Sequence, residues 1–281
     1  MENSTASNPL VKHFRQPSVY LKLPSGGRFY PDGVLDLSVT GEIPVYPMTV
    51  KDELLLKTPD ALLNGASIVE MVRSCCPAIK DPTAIPLIDL DPILIAIRLA
   101  SYGQGMDINS TCTHCASLNE HTIDLRNLLD SLPVINNLQN TADYQDLVLE
   151  FEPQTFADLN QAGLIEFEQQ KLINTVSNSE ISQEEKQKLF NDSFKRLADL
   201  NIDSLVSCIA AVHIKDGEVV RDRAMIKDFL VNTDRQTYDN IHTLVENFVS
   251  INAVPPVDLT CNECSKSYKV NLEFNQSNFF A

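Results

Sequence analysis

Two Cys-x-x-Cys pairs, Cys112-Thr113-His114-Cys115 and Cys261-Asn262-Glu263-Cys264, constrain this chain more than any other feature. A loop of that spacing can aim two thiolates at one point, and two such loops supply the four sulfurs of a tetrahedral structural zinc. An ion shared between them would hold the middle of a 281-residue chain against its distal end. Their surroundings also read alike. Asp107-Ile-Asn-Ser-Thr precedes one pair and Asp258-Leu-Thr the other, while His121 to Leu125 and Tyr268 to Phe274 alternate apolar and polar residues after them. Such alternation marks half-buried strands. Each unit is therefore expected to run strand, knuckle, strand, and residues 107–125 and 257–274 to form a split zinc ribbon. Cys112, Cys115, Cys261 and Cys264 are the expected metal ligands, with one structural zinc per chain. Four reduced, half-buried cysteines that bind nothing are the plainer alternative. A redox role fits less well, because neither pair opens a helix after a buried strand, the setting that lowers a thiol pKa. His114 or His121 could replace a ligand, but four cysteines already complete the shell.

An apolar content of 43% lets the chain bury a real core, which excludes a disordered protein. The other cysteines, Cys75, Cys76 and Cys208, make the total odd, and no signal peptide opens the sequence, so a cytosolic chain with reduced thiols is expected. The most apolar stretch, Ile93 to Ala100, is short and carries Arg98. A membrane span needs roughly 20 residues, so none is expected. The net charge of −16 argues against non-specific nucleic-acid binding. Lys12, Arg15, Lys22 and Arg28 face only Glu2 in residues 1–30, whereas residues 107–160 hold nine carboxylates against Arg126 alone. That acidic segment is a solvated face or a surface for a basic protein partner.

Residues 1–18 show little periodicity and read as a loose arm, with order expected from Val19. Leu23 to Gly33 is dense in Gly and Pro and reads as a shaped loop; Gly26, Gly27 and Arg28 lack the strand, helix and lysine of a phosphate-binding loop. Val34 to Tyr46 suggests a hairpin turning at Thr40-Gly41-Glu42. Helices are expected from Thr49, over Ala61 to Leu63, and from Ser67. Asp91-Pro92 reads as a cap followed by the first position of a helix that is apolar nearly all round. Arg98 within it needs a partner, with Asp89 or Asp91 the natural candidates. A short helix over Leu125 to Leu132, a polar linker near Asn136 to Asp143 and a strand over Leu147 to Phe151 follow. Thr155 and the capping box Ser182-Gln-Glu-Glu185 open two helices that form an αα-hairpin over 155–213, with a possible break at Asn201. That hairpin is a bundle packed on the core or an exposed arm, the bundle being the simpler expectation. Val212 to Val220 reads as a hairpin with Asp-Gly in its turn, and two helices over 223–231 and 233–249 lead to the second knuckle. The fold class is thus helix-rich α+β, with small β hairpins, the split four-cysteine zinc ribbon, a motif region over 19–106 and a large helical insertion over 126–256.

Leu23-Pro-Ser-Gly-Gly-Arg-Phe-Tyr-Pro31, Val45-Tyr-Pro-Met-Thr49, Asp52 to Gly65, and Asp89 to Arg98 with Tyr102-Gly103 resemble the T4-like phage baseplate proteins, most strongly over residues 20–125. That family contains baseplate hub subunits and a hub assembly factor. The resemblance implies a non-enzymatic structural or assembly protein of a contractile-tailed phage, found in the virion tail or in the host cytoplasm during assembly. Its implied partners are baseplate hub or tape-measure proteins. It also singles out Pro24, Gly26, Phe29, Tyr30 and Pro31 in the loop, and Thr58, Pro59, Asp60, Asn64 and Gly65 in the turn, as residues that shape the fold. No nucleophile elbow, HExxH, Walker loop or kinase signature is present, and the five histidines are scattered. Four cysteine ligands would leave no open coordination position for a hydrolytic zinc. A zinc-ribbon regulatory adaptor that binds transcription or replication proteins is the alternative from another class.

Overall fold

A computed structural model describes residues 10, 13–57, 65–132, 140–177, 181–215, 217–251, 253–272 and 279–280. The chain is helix-rich α+β, with two apolar cores. The first core begins with β1 (Val19–Lys22), antiparallel to β2 (Glu42–Val45). Val19, Leu21, Ile43 and Val45 point inward, as alternation requires. The hairpin expected over 34–46 does not form. Ser38 N–H reaches Glu42 O at 3.3 Å, but the residues before it bond elsewhere: Asp36 N–H reaches Ala78 O at 2.9 Å and Lys80 N–H reaches Val34 O at 2.8 Å. The partner of β2 is β1 instead, and Pro44 is tolerated because a two-stranded sheet is all edge.

The segment before β1 is not loose throughout. Arg15 donates to Pro47 O, to Ser74 O at 2.7 Å and Ser74 Oγ at 2.8 Å, and pairs with Asp52 at 3.5 Å. Helix α1 (Val50–Leu56) opens on a reciprocal capping box between Thr49 and Asp52. Helix α2 (Ala66–Cys75) starts one residue earlier than expected, on Gly65 at φ 67°. A side chain there would meet Asn160, so glycine answers both a left-handed backbone and a close approach. The helix expected over Ala61 to Leu63, and Thr58, Pro59, Asp60 and Asn64, lie outside the described residues.

The central helix α3 (Leu87–Tyr102) corrects two expectations. It begins after Pro86, so Asp91 is not its cap and Pro92 sits inside it. Burial of Ile88, Leu90, Ile93, Leu94, Ile95 and Ile97 outweighs the one backbone hydrogen bond that Pro92 forgoes. The helix start is completed from afar, Leu87 N–H donating to Gln154 O at 2.8 Å. Asp89 therefore lies in the first turn and Arg98 nine residues on, about 14 Å along the axis, too far to pair. Arg98 instead donates to Phe279 O and lies over the rings of Tyr102 and Phe279, at 5.4 and 5.3 Å. Asp89 takes the N–H of Ser25 at 2.9 Å and its hydroxyl at 2.5 Å, which pins the 23–33 loop to the core.

Strands β3 (Gly105–Thr111) and β4 (Leu118–Asp124) follow, then α4 (Leu125–Ser131), capped by Asp124. The second core is built on an antiparallel sheet of β5 (Thr141–Tyr144), β6 (Leu147–Phe151), β7 (Ile209–Ile214) and β8 (Val219–Val220). Residues 141–144 are a strand, although their polarity suggested part of a linker. Helices α5 (Phe156–Ser177) and α6 (Gln183–Ser207) pack on each other, and α6 runs unbroken through Asn201. Ile209 and Val212 belong to β7, so the apolar spacing there is that of a strand. Helices α7 (Arg223–Asn232) and α8 (Arg235–Ile251) complete this core with Ile226, Leu230, Ile241, Val245 and Phe248.

The αα-hairpin is rooted at Phe156 in one core and at Leu205 and Val206 in the other. Between these roots the described residues bury only Gln169, Val176 and Ser193, while Leu159, Phe167 and Phe194 are 45%, 48% and 60% exposed. Its outer part is an arm rather than a bundle packed on the core. No helix among the described residues is long and apolar enough to cross a membrane.

Candidate metal centre

Strand β3 pairs with β4 from Gly105↔Asp124 to Thr111↔Leu118, and β9 (Val257–Thr260) with β10 (Ser267–Val270) from Val257↔Val270 to Thr260↔Ser267. Each hairpin closes on one Cys-x-x-Cys loop, and the two loops are built alike. Cys112 N–H donates to Ser117 O at 2.9 Å, and Ala116 N–H returns to Cys112 O at 2.9 Å. In the second loop Cys261 N–H donates to Lys266 O at 3.0 Å, and Ser265 N–H to Cys261 O at 3.0 Å. Both turns force the residue after the second cysteine into the left-handed region, Ala116 at φ 58° and Ser265 at φ 56°.

Met106, Ser110, Asn119 and Ile123 from one hairpin and Leu259 and Tyr268 from the other are buried. Polar contacts between the hairpins help fix how they sit. Ser110 Oγ and Tyr268 Oη are 2.7 Å apart, and His114 Nε2 lies 3.2 Å from Ser267 O. The second histidine, His121, turns toward Tyr268 Oη at 3.4 Å. Both histidines therefore have partners outside the sulfur cluster.

The result brings Cys112, Cys115, Cys261 and Cys264 together, with their four sulfurs within 4.8 Å of one another. The cross-hairpin distances are 3.8 Å between Cys112 and Cys264 and 3.6 Å between Cys115 and Cys261. A tetrahedral zinc with sulfur at about 2.3 Å requires edges of about 3.8 Å. A disulfide requires about 2.05 Å, and all four cysteines are free. The residues present therefore fit a four-sulfur metal site, and among the described residues they form the one such group of His, Cys, Asp or Glu.

Local donors favour thiolates at two of the four positions. Cys261 is lowered by the N–H groups of its own loop, that of Cys264 first, and by the Ser117 hydroxyl, whereas Cys264, despite the Lys266 N–H, is raised by burial and the neighbouring sulfurs. Cys115 is lowered too, chiefly by Ser117. Elsewhere burial dominates, raising Cys75 to about 11 and Cys208 to about 11. Those thiols are neutral structural residues. Sequence reasoning found the four clustered cysteines but missed Ser117 in the knuckle loop and the strand residues Ser110, Asn119 and Tyr268, whose contacts cross between hairpins far apart in the chain.

A family model described as T4 bacteriophage base plate protein matches residues 16–281, nearly the whole chain. No curated protein and no solved structure matches the chain significantly. The chain belongs to this phage base plate family.

Proposed function

We propose that this baseplate protein is a non-enzymatic structural or assembly component of the baseplate hub, clasped by one structural zinc and binding other tail proteins through its helical arm. The coarser part follows from family membership: a structural protein of the phage baseplate, located in the virion tail. What carries the finer part is the clasp itself. Its sulfurs come from knuckles 146 residues apart, so a bound ion would hold the two ends of the intervening helical region together. Cys112, Cys115, Cys261 and Cys264 would hold the metal, and zinc would neutralise thiolate charge there while leaving no position for substrate. The arm offers the partner surface through the exposed rings of Phe167 and Phe194. Hub or tape-measure segments are the partners proposed, and assembly in the host cytoplasm the setting. A regulatory adaptor gains no support from a match to a baseplate family.

Two measurements test the reading. Metal analysis of the purified chain should find close to one zinc, lost with heat stability in Cys261→Ser; a metal-free chain of equal stability would overturn the clasp. Co-purification with tail proteins should succeed at micromolar concentration and weaken for Phe167→Ser with Phe194→Ser. Deleting residues 155–213 is not a clean test, because Leu205, Val206 and Ile209 belong to the second core. Binding of no tail protein would sink the hub role.

A further inference from the structure

Asn119 is buried in β4, 3% exposed, and its side chain joins the two knuckles. Its Oδ1 accepts the N–H of Asn262 at 2.8 Å, and its Nδ2 faces Ser117, at 3.0 Å from the carbonyl and 3.4 Å from the hydroxyl oxygen. A backbone N–H can only donate, so the amide orientation is fixed by Asn262 and its NH₂ must point at Ser117. The Ser117 oxygen thus accepts a hydrogen bond. Its own proton is left for its other near neighbours, the sulfurs of Cys115 at 3.0 Å and Cys261 at 3.2 Å.

We propose that Ser117 and Asn119 are positioning residues of the metal centre: Asn119 registers one knuckle on the other and orients Ser117, whose hydroxyl donates to a sulfur at the seam between them. This rests on the four cysteines binding a metal. Four thiolates on one divalent ion carry excess negative charge, and a donor at the sulfur spreads it while holding the ligand in place. The device is one-sided. In the matching positions of the second loop stand Lys266 and Tyr268, and the Tyr268 hydroxyl is engaged with Ser110. Cys112 receives instead a backbone donor, the N–H of His114 at 3.4 Å. Cys115 and Cys261 are therefore the sulfurs supported by a side chain, one from each knuckle.

The test compares the full chain loaded with cobalt(II) in wild type, Ser117→Ala, Ser117→Thr and Ser117→Val, with folding checked by circular dichroism. Threonine and valine share a shape and differ in the hydroxyl. Expected is a sulfur-to-cobalt charge-transfer band at lower energy, and metal transfer to a chelator faster by about tenfold, in the alanine and valine variants. Threonine should retain wild-type behaviour. Equal spectra and equal transfer rates for threonine and valine would overturn the role of Ser117, even if alanine differs. A wild-type chain that takes up no cobalt would overturn the metal reading itself, and this inference with it.

Discussion

Replacing Asp89 by asparagine should change how stability depends on pH, by an amount the structure allows to be worked out. Asp89 is fully buried in the first turn of α3, and its two oxygens take the N–H and the hydroxyl of Ser25. Burial strips water from the carboxylate and raises its pKa from 3.8 to about 6, with the Ser25 donors offsetting part of the rise. The folded chain therefore holds this proton more tightly than the unfolded one. Its stabilising contribution is full below about pH 4 and is lost as pH rises through about 6, a total of about 3 kcal/mol. Between about pH 7.5 and about pH 5 the protonation ratio of folded to unfolded states changes about tenfold, or about 1.4 kcal/mol. Asparagine is uncharged and can keep both contacts, its oxygen accepting from Ser25 N–H and its NH₂ donating to the hydroxyl. Urea unfolding of both proteins at each pH isolates the effect, since Asp91, also raised to about 6 by burial, is common to both. Wild type should gain about 1.4 kcal/mol on the variant as pH falls from about 7.5 to about 5. A difference that stays flat across that range would refute the reasoning that burial controls Asp89.

The two knuckle positions with positive φ give a second prediction: Ala116→Gly and Ser265→Gly should each stabilise the metal-loaded protein by about 0.5–1 kcal/mol in thermal unfolding, because both are exposed and strained only by their Cβ. A loss of stability at both sites would mean that the turns are not strained. Arg15→Ala should cost about 2–3 kcal/mol in urea unfolding, since it strips donors from Pro47 O and Ser74 O and leaves Asp52, 6% exposed, without its cation. A loss under about 0.5 kcal/mol would show that the segment before β1 is not anchored there.

Local rules were legible wherever a few neighbouring residues decide the outcome. Thr49 with Asp52 and Ser182 with Glu185 cap helices as their spacing indicates, because a capping box closes within four residues. The knuckle strands followed from alternation and from the turn that each Cys-x-x-Cys pair imposes. Asp91-Pro92 misled because the same dipeptide suits a helix start and the early interior of a buried helix, and the apolar surroundings of α3 chose the second. Thr141 to Tyr144 looked like a linker because its polarity is that of an outer strand, whose partner β6 settles its structure. Arg98 needed a partner, as its place in an apolar helix required, yet that partner is a carbonyl 181 residues away.

The sequence by itself determined the fold class, the capping boxes opened by Thr49 and Ser182, the four cysteines that come together and, through its motifs, the baseplate family. Tertiary structure decided that β1 rather than 34–39 pairs with β2, that the αα-hairpin extends as an arm, and that Ser117 and Asn119 stand between the knuckles. The physical reason is one of range. Backbone turns, caps and side-chain periodicity are set by residues within about one turn of each other, whereas a buried polar group takes whichever donor or acceptor the packed chain brings within about 3 Å. For Asn119 that donor is the N–H of Asn262, 143 residues away.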